Sequence, residues 1–341
     1  MRCIRRLKFM KVFIFGAGAS YDAISDLDNG LRMPLTKDLF LDEPTLNRVL
    51  LDNPSASLAV DEIRENLASN SAASVEVEIE KLRVRAQNDP HLARSLLGIL
   101  GYLKNIINIH TTIVLNKDYQ RTNYRVLLRK LMAWQVRTSS KVLLVSFNYD
   151  TLLDSACQLQ VSGWRVKDAA SMEVYTARED FKLLKLHGSV NWNRIIPTPE
   201  DFNGDIYDYT DKIDMSTSRL MAPSESIPQG YTAMPAIALP MSTKSNFECP
   251  DSFISELKIG LGKATDIVLI GWRGAEPHFK EAMQNIINPK TMLTIVTGSA
   301  EGGNDALKNL EWMPTTNKSR YDKGFSDFIN SVDLKTILSR P

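Results

Sequence analysis

The sequence predicts an α/β fold in which a Rossmann-like, doubly wound parallel sheet carries an inserted helical module. The first observation is a series of short, nearly wholly apolar runs at 11–15, 141–147, 181–186, 266–270 and 292–297. The second is that segments of helical character separate these runs. Buried strands that alternate with helices are typical of parallel sheets covered on both faces.

The first strand is predicted at 11–15, because its β-rich apolar run stops at glycine. A short helix is predicted at 19–28, where Asn29-Gly30 ends it. From about 45 to 135, apolar residues recur at spacings of three and four, which predicts helices. We therefore expect a Rossmann-type domain at 1–44 and 136–341, with an inserted helical module at 45–135.

The second half of the chain continues the alternation of strands and helices. Residues 193–231 are rich in Pro, Ser, Asp and Gly and lack periodicity, which predicts loops and a small irregular subdomain. A short strand is expected at 235–240, and the run at 292–297 is expected to be the last parallel strand. Further helices are predicted at 151–159, 252–263, 278–287 and 325–338.

Composition restricts the class of protein. The 341 residues include 41 Lys plus Arg against 40 Asp plus Glu, so charge gives no reason to expect binding to nucleic acid or to a membrane. No apolar run reaches the roughly 20 residues that a membrane span requires, and the amino terminus lacks the pattern of a signal peptide. We expect a cytoplasmic protein. The three cysteines predict neither a disulfide framework nor a zinc ribbon.

A glycine-rich turn follows the first predicted strand. Gly16, Ala17 and Gly18 are small enough for their backbone amides to approach a pyrophosphate, with Ser20 beside them. Tyr21 stands where a dinucleotide fingerprint has glycine. Because such turns also serve only to pack a helix on a sheet, this turn alone leaves both readings open.

Polar residues follow two further strands. Asn148 and Asp150 come after Phe147, where they suit either a ligand contact or a turn that caps the next helix. His187 follows another strand and is expected to face the same crevice, where an imidazole can accept a proton. A histidine is more often structural than catalytic. No third ligand of suitable spacing accompanies His187 and His278, so we expect no metal.

Five motifs together resemble the prokaryotic sirtuin-like family, over about 11–40 and 141–300. In order they are Gly-Ala-Gly-Ala-Ser, Met-Pro-Leu-Thr, Phe-Asn-Tyr-Asp, Lys-Leu-His-Gly-Ser-Val-Asn-Trp and Ile-Gly-Trp. The resemblance implies that the first loop holds the phosphates of NAD and that Asn148 and His187 act at the nicotinamide ribose. It also implies binding contacts from Pro34, Asp150, Gly188, Ser189, Gly271 and Trp272.

The resemblance also implies an activity. Deacetylase members carry paired Cys-x-x-Cys motifs for zinc, which this chain lacks, and Trp272-Arg273 stands where relatives tend to have Tyr-Ser. The expected function is therefore that of defence-associated members: hydrolysis of NAD, the substrate, to nicotinamide and ADP-ribose. The alternatives are a protein deacylase or ADP-ribosyltransferase, and a non-catalytic nucleotide sensor. We further expect a homo-oligomer and a partner protein that restrains or triggers activity, with contacts through the helical module.

Overall fold

The computed structural model describes residues 9–25, 31–41, 43–70, 73–118, 121–166, 169–209, 212–213, 215–241 and 247–340. Its strands are β1 (Met10–Phe15), β2 (Lys141–Ser146), β3 (Phe181–Lys185), β4 (Gly188–Pro197), β5 (Arg219–Met221), β6 (Tyr231–Ile237), β7 (Asp266–Ile270), β8 (Met292–Val296) and β9 (Asn317–Tyr321). Its α-helices are α1 (Ala17–Tyr21), α2 (Pro44–Leu51), α3 (Ser57–Ser69), α4 (Val75–Ala86), α5 (Pro90–Asp118), α6 (Asn123–Thr138), α7 (Leu152–Gln160), α8 (Asp251–Lys263), α9 (Pro277–Met283), α10 (Ala300–Asn309), α11 (Gly324–Phe328) and α12 (Val332–Ser339).

The central sheet has the strand order β3-β2-β1-β7-β8-β9, and all of its strands run parallel. This confirms the predicted Rossmann-like fold class. From β1 the chain proceeds to β2 and β3 on one side and returns to β7, β8 and β9 on the other. The carboxyl ends of β1 and β7 therefore flank the point of reversal, where open α/β sheets bind ligands.

The helices α2 to α5 form a cluster that packs on a second, smaller sheet. The long helix α5 contacts α2, α3 and α4, and it also contacts β4 and β6 of the antiparallel sheet β5-β4-β6. Lys104 of α5 donates a hydrogen bond to Asn193 of β4, with 3.2 Å between Nζ and Oδ1. The helix α6 packs on β2 and α7. The division at 45 and 135 stays a prediction.

Two expectations about strands were wrong. Residues 193–231 are not only loops, because β4 and β6 pair through Asn193–Pro197 and Tyr231–Pro235 in an antiparallel sheet. The run at 292–297 is not the last parallel strand, because β9 follows it at the edge. The sequence Asn-Lys-Ser-Arg-Tyr of β9 is half-buried or exposed, so it lacks the apolar pattern that identified the other strands.

Two expectations about helices also change. The helix predicted at 325–338 is broken into α11 and α12, and the Ser331 side chain caps the second by accepting from Leu334 N at 3.1 Å. The first helix spans only Ala17–Tyr21, and residues 26–28 of its predicted range lie outside the described residues. No helix of the described part of the chain is long and apolar enough to cross a bilayer.

The tips of β1 and β7 approach each other closely. Gly16 N donates to Ile270 O at 3.0 Å, and Gly18 N donates to Gly271 O at 3.1 Å. Gly271 has φ +61°, and a Cβ there would lie 2.2 Å from Ala19 N and 2.4 Å from Gly18 C. Glycine is therefore required at 271 by backbone conformation and by space.

We predict that Gly271→Ala destabilises the protein far more than Gly163→Ala. Gly163 also has positive φ, at +74°, but a Cβ there meets nothing within 4 Å. The control should cost about 1 kcal/mol, for the left-handed backbone alone. Gly271→Ala should cost on the order of 3 kcal/mol or more, because backbone must also move. Urea unfolding measures both, and equal losses would contradict the close packing.

Candidate functional site

The glycine turn after β1 is packed against the residues that follow β7. A Cβ on Gly16 would lie 2.6 Å from Gly271 O, and one on Gly18 would lie 2.9 Å from Gly271 Cα. The packing of β7 against the turn thus explains both glycines without a ligand. The helix α1 that follows has five residues, so its dipole is small. Ala17 is exposed, whereas Ser20 is buried and faces the sheet end.

Asn148 is bound to this turn, and the hydrogen bonds determine which way its amide points. Its Nδ2 donates to Gly16 O at 2.9 Å and to Ser20 Oγ at 2.9 Å, with Tyr124 OH at 3.2 Å. A backbone carbonyl can only accept, so the atom facing Gly16 must be the amide nitrogen. The Oδ1 of Asn148 is thereby turned away from the glycine turn, as an acceptor for another group.

Asp150 links the same network to the start of α7. Its Oδ2 accepts from Ser20 Oγ at 2.6 Å, and its Oδ1 accepts from Leu152 N at 2.9 Å, which is the capping role expected from the sequence. Burial raises the pKa of the Asp150 carboxyl, and the charge of Lys185 opposes that shift. Asp150 therefore has a structural role in this network that does not depend on a ligand.

A buried ion pair lies beneath this network. Lys185 Nζ donates to Asp150 O at 2.5 Å and to Asp154 Oδ2 at 3.0 Å, and both side chains of the ion pair are almost fully buried. Asp154 Oδ1 accepts from Tyr175 OH at 3.1 Å, and that hydroxyl accepts from Trp192 Nε1 at 3.0 Å. Lys185 thus holds the loop that follows Asn148 from the neighbouring strand.

His187 lies among aromatic rings at the end of β3. Its ring centroid is 4.9 Å from that of Phe147 and 5.6 Å from that of His278, which in turn lies 4.4 Å from Phe247. Ser146 and Lys185 are register partners, so Asn148 and His187 stand two residues beyond paired positions. The structure places both residues at the carboxyl end of the sheet, directly after the neighbouring strands β2 and β3.

Trp272 packs over Phe147 at the carboxyl end of the sheet. Its indole stacks flat on Phe147, with ring centroids 4.7 Å apart and planes 5° apart, and it also contacts Phe279 edge-on. Trp272 is only 4% exposed and His187 only 3%. The indole Nε1 is buried without a hydrogen-bond partner among the described residues. A cavity of about 430 Å³, lined by Met10 and Lys141 among others, lies at the amino ends of β1 and β2, at the opposite end of the strands from His187.

The other predicted site residues have varied surroundings. Gly188 has φ +78°, and a Cβ there would lie 2.0 Å from Ala236 O of β6. Ser189 Oγ is within 2.6 Å of Asn191 Oδ1 and 3.3 Å of Tyr149 O, so it braces the loop around Tyr149. Pro34 is half-buried in the segment before the Thr36–Asp38 turn. A binding role for any of them stays a prediction.

Sequence reasoning missed part of this arrangement. Tyr124 lies in the span assigned to the helical module, and only the fold brings it to Ser20 and Asn148. Asp154 and Lys185 looked like ordinary helix and strand residues. His278 was considered only as a metal ligand, and its contact with His187 depends on the tertiary structure. In the described part of the chain, no group of three or more His, Cys, Asp or Glu could hold a metal ion.

Comparison with known proteins gives one family match. Residues 142–232 match a family profile described as SIR2-like domain, a segment that contains Asn148, Asp150, His187, Gly188 and Ser189. The search of curated proteins gives no match to this sequence.

Solved structures of Sir2 proteins align over most of the chain at low similarity. Sir2Tm bound to a propionylated peptide is 14% identical, with a TM-score of 0.40 and coverage of 96% of this chain and 94% of that one. A Sir2 homologue–NAD complex is 12% identical, with a TM-score of 0.44 and coverage of 96% and 90%. A mutant Sir2 homologue with 2'-O-acetyl ADP ribose is 12% identical, with a TM-score of 0.47 and coverage of 97% and 93%.

We predict that Lys185→Met lowers the free energy of unfolding by about 3 kcal/mol or more, because it leaves the Asp154 carboxylate buried without its cation. Adding Asp154→Asn should restore part of the loss, since no uncompensated charge then remains. The control is Arg178→Met, which removes an exposed ion pair with Asp180 and should cost about 1 kcal/mol or less. Chemical denaturation measures all three, and a Lys185→Met loss no larger than the control's would contradict the role of the pair.

Proposed function

We propose that the protein hydrolyses NAD to nicotinamide and ADP-ribose, as an effector of antiphage defence that depletes NAD. One observation carries the proposal. Asn148 and His187 follow the neighbouring parallel strands β2 and β3 at equivalent positions, Asn148 is hydrogen-bonded to the glycine turn, and both lie within the segment that matches the SIR2-like domain. Open α/β sheets bind their ligands beyond the carboxyl ends of the strands, which is where both side chains lie.

The proposed reaction breaks the bond between the nicotinamide nitrogen and C1' of the ribose, and water adds at C1'. Asn148 Oδ1 accepts a hydrogen bond from the attacking water and orients it, since Nδ2 is held by Gly16 and Ser20. His187 takes the proton that the water loses. In the proposed complex the pyrophosphate binds at the glycine turn after Gly16 N and Gly18 N are released from Ile270 O and Gly271 O, with no metal required.

The arrangement of Trp272 supports restraint of this activity. The glycine turn is packed against Gly271, and the indole covers Phe147 next to His187. NAD would therefore reach His187 only after the tip of β7 moves outward. That movement would also let the buried Nε1 of Trp272 find a hydrogen-bond partner. A second copy of the chain or a partner protein, bound through the helices α2 to α5, would control it, consistent with a cytoplasmic protein that must not deplete NAD prematurely.

Two other functions remain in competition, and product analysis separates them. A deacylase or ADP-ribosyltransferase transfers the ribosyl group to an acyl-lysine peptide or to protein, whereas the proposed hydrolase transfers it to water. A sensor binds NAD without consuming it. Incubating the chain with NAD and each acceptor, alone and with the products of neighbouring genes, distinguishes free ADP-ribose, modified acceptor and unchanged NAD.

We predict that His187→Ala and Asn148→Ala each lower the rate of nicotinamide release by at least about 100-fold, because one removes the proton acceptor and the other the orientation of water. Circular dichroism and thermal unfolding check that each variant is folded. His91→Ala, an exposed position on α5, is the control and should keep the wild-type rate. Wild-type turnover in either site variant would rule out the role assigned to that residue.

A further inference from the structure

A tyrosine from outside the predicted site motifs lies at the centre of the network around Asn148. Tyr124 lies in the first turn of α6 and is 1% exposed. Its ring packs edge-on against Phe15 at 5.3 Å and Phe325 at 5.5 Å, which fixes the position of its hydroxyl. The hydroxyl oxygen lies 2.8 Å from Ser20 Oγ and 3.2 Å from Asn148 Nδ2.

The direction of these hydrogen bonds follows from the number of protons available. Ser20 has one hydroxyl proton, and it goes to the Asp150 carboxylate at 2.6 Å. Asn148 Nδ2 has no lone pair to offer, so Ser20 accepts from it. The remaining contact of Ser20 is with Tyr124, and the phenol must therefore donate to Ser20 Oγ.

The chemistry of the phenol agrees with that direction. Burial raises the pKa of Tyr124 well above its ordinary value, and the charge of Asp150 raises it further, so the hydroxyl stays protonated. Ser20 then donates once and accepts twice, which uses all of its hydrogen-bonding capacity. Without Tyr124 the hydroxyl of Ser20 would have a vacant lone pair and a wider choice of rotamers.

We propose that Tyr124 is a positioning residue for the proposed NAD hydrolysis. By donating to Ser20, it keeps Ser20 in the rotamer that receives the Asn148 amide, and so keeps Asn148 Oδ1 directed away from the glycine turn. The inference rests on the proposed function, because Asn148 Oδ1 is the group that orients the water. Tyr124 itself acts through Ser20 and Asn148.

The test compares Tyr124→Phe with Tyr102→Phe in the full chain. Tyr102 is also fully buried and its hydroxyl donates one hydrogen bond, to Leu39 O at 3.0 Å, away from the site. The two substitutions remove the same atom, so similar losses of thermal stability are expected. We expect kcat for nicotinamide release to fall about tenfold in Tyr124→Phe with KM little changed. Tyr102→Phe should stay within about twofold of wild type.

A second pair of variants tests whether Tyr124 acts through Ser20. If it does, Ser20→Ala/Tyr124→Phe should be no slower than Ser20→Ala alone, because the second substitution then removes nothing more. Losses that multiply in the double variant, or equal rates for the two Phe variants, would overturn the positioning role while leaving NAD hydrolysis in place. If the wild-type chain releases no nicotinamide, alone or with its partner, the proposed hydrolase fails and the positioning role fails with it.

Discussion

The arrangement of the candidate site depends on one constraint: the polar groups that surround Asn148 at the ends of β1, β2 and β3 are buried and must find partners. The chain meets it with a continuous network that runs from Tyr124 through Ser20 to Asp150, and from there through Lys185 to Asp154. Each member belongs to a different element, so the network joins α6, α1, the loop after β2, β3 and α7. Because an unpaired buried partner is costly, the geometry around Asn148 has little freedom.

The stacked rings of Phe147 and Trp272 are linked to the polar network around Asn148 through the backbone beside them. Phe147 directly precedes Asn148, and its ring touches both Trp272 and His187. Gly271, next to Trp272, contacts the same glycine turn whose carbonyl holds the Asn148 amide. An outward movement of the β7 tip would therefore free the indole and the glycine turn together. A dinucleotide that replaced these contacts would have to compensate for an aromatic stack and two backbone hydrogen bonds.

Much of the fold could be predicted from the sequence, because buried parallel strands are recognisable as apolar runs that end in glycine or polar residues. The strand β9 was missed since an edge strand has no need of apolar side chains, and Asn317 to Tyr321 are mostly polar. The residues at the strand ends were found for the same reason that the strands were. Tyr124 could not be found this way: it is 104 positions from Ser20, and its helical pattern gives only its secondary structure.

The glycine turn shows why a motif and its function must be argued separately. Gly16, Gly18 and Gly271 all have sufficient structural reasons, since a Cβ at any of them would meet backbone at 2.9 Å or less. Packing alone therefore explains their identity, and they carry no weight for nucleotide binding. Asn148 is different, because packing explains only its nitrogen end. Gly16 O and Ser20 would be satisfied by any donor, yet the chain places there a side chain that also supplies an acceptor. The proposed ligand contact at the carboxyl ends of the strands rests on this acceptor rather than on the glycines.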